Sequence, residues 1–126
     1  MMETQTTPQK TALVVEDDLD SQILYKHSLK LENFRVDVAS NGQMALDYLN
    51  SHPAPDVIFL DLSMPTMTGK EFMAKLRENP DWDMIRVIVI SGWDDLQNRS
   101  RDIGADGFIR KPFNRASLHD EIARCY

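Results

Sequence analysis

A chain of 126 residues, 42% of them apolar, suits one domain with a modest core and argues against wholesale disorder. Its net charge of −6 disfavours direct binding to nucleic acid or to an anionic membrane surface. The single cysteine, Cys125, excludes an intrachain disulfide and a cysteine-ligated zinc cluster.

Residues 1–9 are polar, lack an apolar signal core, and read as a flexible tail ahead of one domain over 10–126. No apolar stretch is long enough to span a membrane, so the expected location is the cytoplasm. A first strand is predicted over 11–15. A helix over 19–31 follows, with Leu24, Tyr25, Ser28 and Leu29 on its inward face. A second strand over 35–39 alternates Val36 and Val38 with polar neighbours, as an edge strand does. Ser40 or Asn41 can cap the next helix, whose buried stripe is Ala45, Leu46 and Leu49. Pro53 and Pro55 separate it from a third strand over 56–60. Thr68 can cap a helix with Phe72, Met73 and Leu76 inward, ending before Pro80. Trp82 is expected to cover the core in the loop ahead of a fourth strand over 86–90. That strand is nearly all β-branched and therefore central. A polar helix over 94–103 has Leu96 and Ile103 as its chief apolar residues and stops at Gly104. A fifth strand over 107–110 leads into a helix over 114–125 that buries Leu118, Ile122 and Cys125. Short apolar runs alternating with amphipathic stretches predict five βα units and a parallel sheet.

Four of these strands end in groups that can share one site. Glu16 and Asp17 follow the first, Asp61 the third, Ser91 the fourth and Lys111 the fifth. In open parallel sheets, ligands bind beyond the carboxyl ends of the strands. Clustered carboxylates repel: two unit charges about 4 Å apart interact by ~4 kcal/mol at an effective dielectric of about 20. A bound cation offsets this best, and oxygen-only ligands favour Mg²⁺, with Mn²⁺ or Ca²⁺ as other choices. Asp61 is the candidate nucleophile, since a carboxylate can take a phosphoryl group as an acyl phosphate. Lys111 and the cation would stabilise charge on the transferring oxygens, and Ser91 could hydrogen-bond one of them. Each residue alone has a plainer reading: a polar loop end, a strand-end serine, a lysine before a proline. Their convergence is what points to phosphoryl transfer. The chain carries no phosphate loop and no glycine-rich dinucleotide fingerprint. His27, His52 and His119 fall on two helices and a loop, away from the proposed site, and read as solvated surface residues rather than members of a triad.

The motifs Val14-Val15-Glu16-Asp17-Asp18, Asp61-Leu62-Ser63-Met64-Pro65, Ser91-Gly92, Gly104-Ala105-Asp106-Gly107-Phe108 and Lys111-Pro112-Phe113 resemble, in order and spacing, those of receiver domains of two-component response regulators. Asn41-Gly42 with Ala45-Leu46 adds a weaker match, and the likeness runs from about Lys10 to Tyr126. The resemblance implies a doubly wound, flavodoxin-like α/β fold, with five parallel strands in the order 2-1-3-4-5 and helices on both faces. It implies Asp61 as phosphoacceptor and Mg²⁺ on Glu16, Asp17, Asp61 and the Ser63 backbone carbonyl. It implies Lys111 on the phosphoryl group ahead of a cis bond to Pro112, with Ser91 and Phe108 as the switch pair. A histidine kinase or a histidine phosphotransfer protein would be the donor, and a downstream protein or an output domain the target. Ser63 and Trp93 would line the rim of the site. Such a domain catalyses only its own phosphorylation and dephosphorylation. Three departures stand out. The stretch from Ser91 to Lys111 is short, which implies a reduced helix over 94–103 and leaves the output surface open. Phe108 lacks the hydroxyl of the tyrosine many relatives carry, and Glu16 stands where Asp is common, which implies a water between it and the metal. The rival readings are a Mg²⁺-dependent phosphohydrolase acting through Asp61 and a receiver-like scaffold that is never phosphorylated. Against the first, Ser63 stands where such hydrolases place a second Asp.

Overall fold

The computed structural model describes residues 9–62, 69–92, 104–111 and 114–125. Its strands are β1 (Lys10–Val15), β2 (Phe34–Ala39), β3 (Val57–Asp61), β4 (Arg86–Ser91) and β5 (Gly107–Arg110). Between and after them lie α1 (Leu19–Leu31), α2 (Gly42–Ser51), α3 (Gly69–Arg77), a 3-10 turn (Pro80–Trp82) and a C-terminal helix (Arg115–Cys125). The strands form one parallel sheet in the order β2-β1-β3-β4-β5.

Side chains alternate between the sheet faces, and each face has its own core. Leu13, Val15, Ile58, Leu60, Val87 and Val89 pack with Ala45, Leu46 and Leu49 of α2 and Phe72, Met73 and Leu76 of α3. Ala12, Val14, Val57, Phe59, Ile88 and Ile90 pack with Tyr25 and Leu29 of α1 and Leu118 of the C-terminal helix. Covering on both faces explains why β3 is a continuous apolar run, buried throughout. Trp82 packs against the first core, as the sequence suggested.

Three helix starts are fixed by side-chain caps. Asp18 accepts from Ser21 N at 2.9 Å, Asn41 from Met44 N at 2.8 Å and Asn114 from Ser117 N at 2.8 Å. Asn41, not Ser40, is therefore the cap of α2. Asn33 leaves α1 through a left-handed turn (φ 67°), which its short polar side chain tolerates.

Some expectations shift. The inward face of α1 is Tyr25, Ser28 and Leu29, while Leu24 is 46% exposed. Leu24 lies about 100° around the helix from Tyr25, which turns it off the buried stripe. Ile122 and Cys125 are only partly buried, and Leu118 alone is the buried anchor of its helix. β3 and β4 each run one residue further than predicted, so Asp61 and Ser91 are the last strand residues rather than the first loop residues. The tail residues 1–8, Thr68 and the helix predicted over 94–103 lie outside the described residues.

Candidate functional site

The register of the sheet sets the site. Val15 pairs with Leu60, Asp61 with Ile90, and Ser91 with Arg110, so the strand ends form one rim. The Glu16 amide extends the β1–β2 ladder by one bond to Ala39 O at 3.0 Å. The Lys111 amide does the same between β5 and β4, donating to Ser91 O at 2.8 Å. Each functional side chain therefore follows directly from a rigid strand.

Glu16 is 1% exposed and Asp61 3%, while Asp17 stands in solvent above them. One oxygen from each of the three lies within 4.8 Å of the others. Lys111 Nζ is 3.1 Å from Asp61 Oδ2, with the lysine side chain 36% exposed at the mouth. The Asp18 amide donates to Glu16 Oε2 at 3.1 Å. Burial, reinforced by the neighbouring Asp61 carboxyl, pushes the Glu16 carboxyl up to about 8. Beneath the acids, burial and the Glu16 and Asp61 charges push the Tyr25 hydroxyl well above its usual range.

Two buried side-chain oxygens among the described residues have no hydrogen-bond partner: Glu16 Oε1 and Ser91 Oγ. Buried polar atoms are rarely left so, because each costs about 1–3 kcal/mol. Both belong to residues at the carboxyl edge, where the described residues gather Glu16, Asp17, Asp61 and Lys111. That donor set fits a hard divalent cation and an anionic ligand carrying acceptor oxygens.

The structure thus brings together Glu16, Asp17, Asp61, Ser91 and Lys111. Phe108 lies on β5, 52% exposed, with its amide donating to Glu121 Oε2 at 2.8 Å. Ser63, Trp93 and Pro112 lie outside the described residues. No histidine is in the site. His27 is exposed, the His52 ring stacks on Tyr48 at 4.1 Å, and His119 Nδ1 lies 2.7 Å from Glu32 Oε1, so two of the three have partners rather than water alone.

Sequence reasoning missed Gln22. Its Nε2 donates to the Glu16 carbonyl at 2.6 Å and to Ser40 Oγ at 3.3 Å. The available signal was helical phase: Gln22 precedes Tyr25 by three and Leu29 by seven, so this polar residue borders the inward stripe of α1.

The sequence pattern of the response regulator receiver domain covers residues 12–123. The alkaline phosphatase synthesis transcriptional regulatory protein SphR of Synechococcus elongatus is 33% identical over 129 residues, covering 94% of this chain and 48% of that protein. The chain spans about half the length of the curated relatives it matches. Among solved structures, the signal receiver domain of a histidine kinase from Syntrophus aciditrophicus aligns with a TM-score of 0.83 at 31% identity, over 92% of this chain and 89% of that one. The chemotaxis protein CheY4 of Vibrio cholerae aligns with a TM-score of 0.84 at 25% identity, over 94% of this chain and 100% of that one.

Proposed function

Because this chain belongs to the response regulator receiver domain family, whose members are signalling switches, we propose that Asp61 is its phosphoacceptor. The donor would be a histidine kinase or a histidine phosphotransfer protein. The observation that carries the assignment is the 3.1 Å contact of Lys111 Nζ with an Asp61 that is buried beside Glu16. A carboxylate here keeps its reactivity at the end of a rigid strand, with a cation already placed where phosphoryl oxygens would arrive.

In the forward step an Asp61 oxygen attacks phosphorus, the new P–O bond forms, and the P–N bond to the donor histidine breaks. The imidazole leaves and takes up a proton. Hydrolysis reverses the gain: a water oxygen attacks phosphorus and the Asp61 carboxylate leaves with inorganic phosphate as product. Glu16, Asp17 and Asp61 would hold Mg²⁺ or Mn²⁺, with the Ser63 carbonyl added by family likeness; bound, the ion neutralises charge on the phosphoryl oxygens. The three donors of the Lys111 ammonium can pass from Asp61 Oδ2 to a phosphoryl oxygen. Ser91 Oγ can donate to another and so gain the partner it lacks. Movement of Ser91 would let Phe108 turn inward, and Trp93 and Ser63 would govern water access at the rim.

Residues 10–126 form the receiver unit in this reading, with 1–9 as a tail. Among the described residues no helix is long and apolar enough to cross a membrane, and the cytoplasmic assignment rests on likeness to the receiver family. The relatives are about twice as long, and SphR is named a transcriptional regulator. Output would therefore pass to a downstream protein or a further domain, and this acidic unit would not itself touch nucleic acid.

Incubation with acetyl phosphate and Mg²⁺ should add one phosphoryl group by mass spectrometry, and Asp61→Asn should abolish it. Equal labelling of the Asn variant would sink the assignment.

A further inference from the structure

We propose that Gln22 is a positioning residue for the metal centre: it fixes the peptide joining Glu16 to Asp17 and thereby the spacing of the two acids. The inference rests on the reading of Glu16, Asp17 and Asp61 as a cation site. A backbone carbonyl can only accept, so the Gln22 amide must present its nitrogen to Glu16 O. Both hydrogens of that nitrogen are then used, one on Glu16 O at 2.6 Å and one on Ser40 Oγ at 3.3 Å.

The amide sits on a rigid base. Gln22 lies in the first turn of α1, its own N–H donating to Asp18 O at 2.9 Å, and Asp18 caps that helix. From there it spans three elements: α1, the end of β1, and the turn between β2 and α2, where Asn41 caps α2. Glu16 is consequently held at three points. Its amide bonds Ala39 O, its Oε2 accepts from Asp18 N, and its carbonyl accepts from Gln22.

The carbonyl restraint matters for Asp17. Glu16 is buried and enclosed, but Asp17 is exposed, and repulsion from the Asp61 carboxylate pushes it away from the cluster. Its direction is set by the plane of the peptide that precedes it. A donor on Glu16 O stops that plane from rotating, so Asp17 stays within reach of the other two acids. Outer partners of this kind typically change metal affinity by about 10- to 100-fold when removed.

The test is calorimetric titration of the full chain with Mg²⁺, well below its melting temperature. Gln22→Met, close in size but without the donor, should raise the Mg²⁺ dissociation constant about 10-fold. Gln22→Asn, which keeps an amide but shortens its reach, should weaken binding too and serves if the Met variant does not fold. Ser40→Ala, which leaves the bond to Glu16 intact, should stay within about 2-fold of wild type. In acetyl phosphate labelling, the Mg²⁺ concentration for half-maximal rate should rise with the dissociation constant, while the rate at saturating Mg²⁺ holds near wild type. Wild-type affinity in both Gln22 variants, or an equal loss in Ser40→Ala, overturns the inference alone. A wild-type chain that binds no Mg²⁺ overturns the reading of the acids and this inference with it.

Discussion

A buried and a half-buried glutamate at opposite ends of the sheet have opposite fates. Glu16, at the carboxyl edge, has one oxygen without a partner, and its carboxyl is pushed up to about 8. Glu121 reaches the amino end of β5 from the C-terminal helix. Its Oε2 accepts from the Phe108 amide at 2.8 Å and from Arg124 at 2.6 Å, and its Oε1 from Arg124 at 3.1 Å. Burial acts to raise the Glu121 carboxyl as well, but the Arg124 and Phe108 donors outweigh it and hold the group below its usual range. The contrast separates structure from function. Where the fold half-buries a carboxylate for structure alone, it supplies donors to both oxygens. Where three acids gather beside Lys111, a buried Glu16 oxygen has no partner among the described residues, and a bound cation can supply what it lacks.

Lys111 offers the sharpest way to break this comparison. Its ammonium donates a hydrogen bond to Asp61 inside the acid cluster. Lys111→Ala should slow phosphoryl transfer to Asp61 by roughly 10²-fold, the usual loss of one preorganised donor to a developing charge. Mg²⁺ binding should survive and even tighten, because a competing positive charge has gone. Labelling at the wild-type rate in quench-flow would remove Lys111 from the site's chemistry.

The pH dependence of the metal-free protein sharpens it from the other side. Glu16 keeps its proton in the folded state up to about 8, whereas in the unfolded chain it ionises near 4.5. Between those values the folded state binds more protons, so stability should fall as pH rises through that window. Urea midpoints in EDTA should show this decline, and Glu16→Gln should flatten it. At the upper end of the window, Mg²⁺ at about 100 times its dissociation constant should restore roughly 2.7 kcal/mol. A midpoint that rises with pH across the same range would show that Glu16 is charged in the metal-free fold.

These two glutamates also mark what the sequence could reveal. Glu16 was legible because it ends an apolar run beside Asp17, and a parallel sheet collects strand ends at one rim. Glu121 was not legible. On its helix it looks like any solvent-facing acid, and its bond to Phe108, thirteen residues earlier, exists only once that helix packs on β5. Leu24 failed for a related reason: an apolar residue beside Tyr25 fits a periodic stripe in the sequence, and only the packed phase of α1 turns it outward. Gln22 escaped because a glutamine on a helix carries no charge or motif, and its value lies in the backbone oxygen it meets.

Gly107 tests the completed site. A Cβ there would run into Glu121 Oε2, and would lie 3.1 Å from Cys125 Sγ. Gly107→Ala should therefore displace Glu121 from the Phe108 amide and cost about 1 kcal/mol, the value of the hydrogen bond lost, because the atoms met are ends of flexible side chains. Denaturant unfolding measures the loss. Hydrogen exchange should show it at Phe108, with the amides of Glu16 and Asp18 unchanged. Faster exchange at those amides would mean that the two ends of the sheet are not independent.

The smallest effect concerns acid. Glu121 is held below its ordinary 4.5, so its contribution to stability is present above that value and is lost as pH falls through its folded value. The sign is opposite to that of Glu16. The size should be less than that of Gly107→Ala, because the Arg124 guanidinium is largely in water and solvent screens the pair. Glu121→Gln should therefore leave the midpoint near neutral pH slightly lowered and remove part of the fall below pH 4.5. The Phe108 amide should keep a partner in that variant, since the Gln oxygen can still accept. If Glu121→Gln and wild type follow parallel curves down the acid limb, the carboxylate's charge contributes nothing there and only its shape matters. The contrast with Glu16 would then be one of hydrogen bonding, not of ionisation.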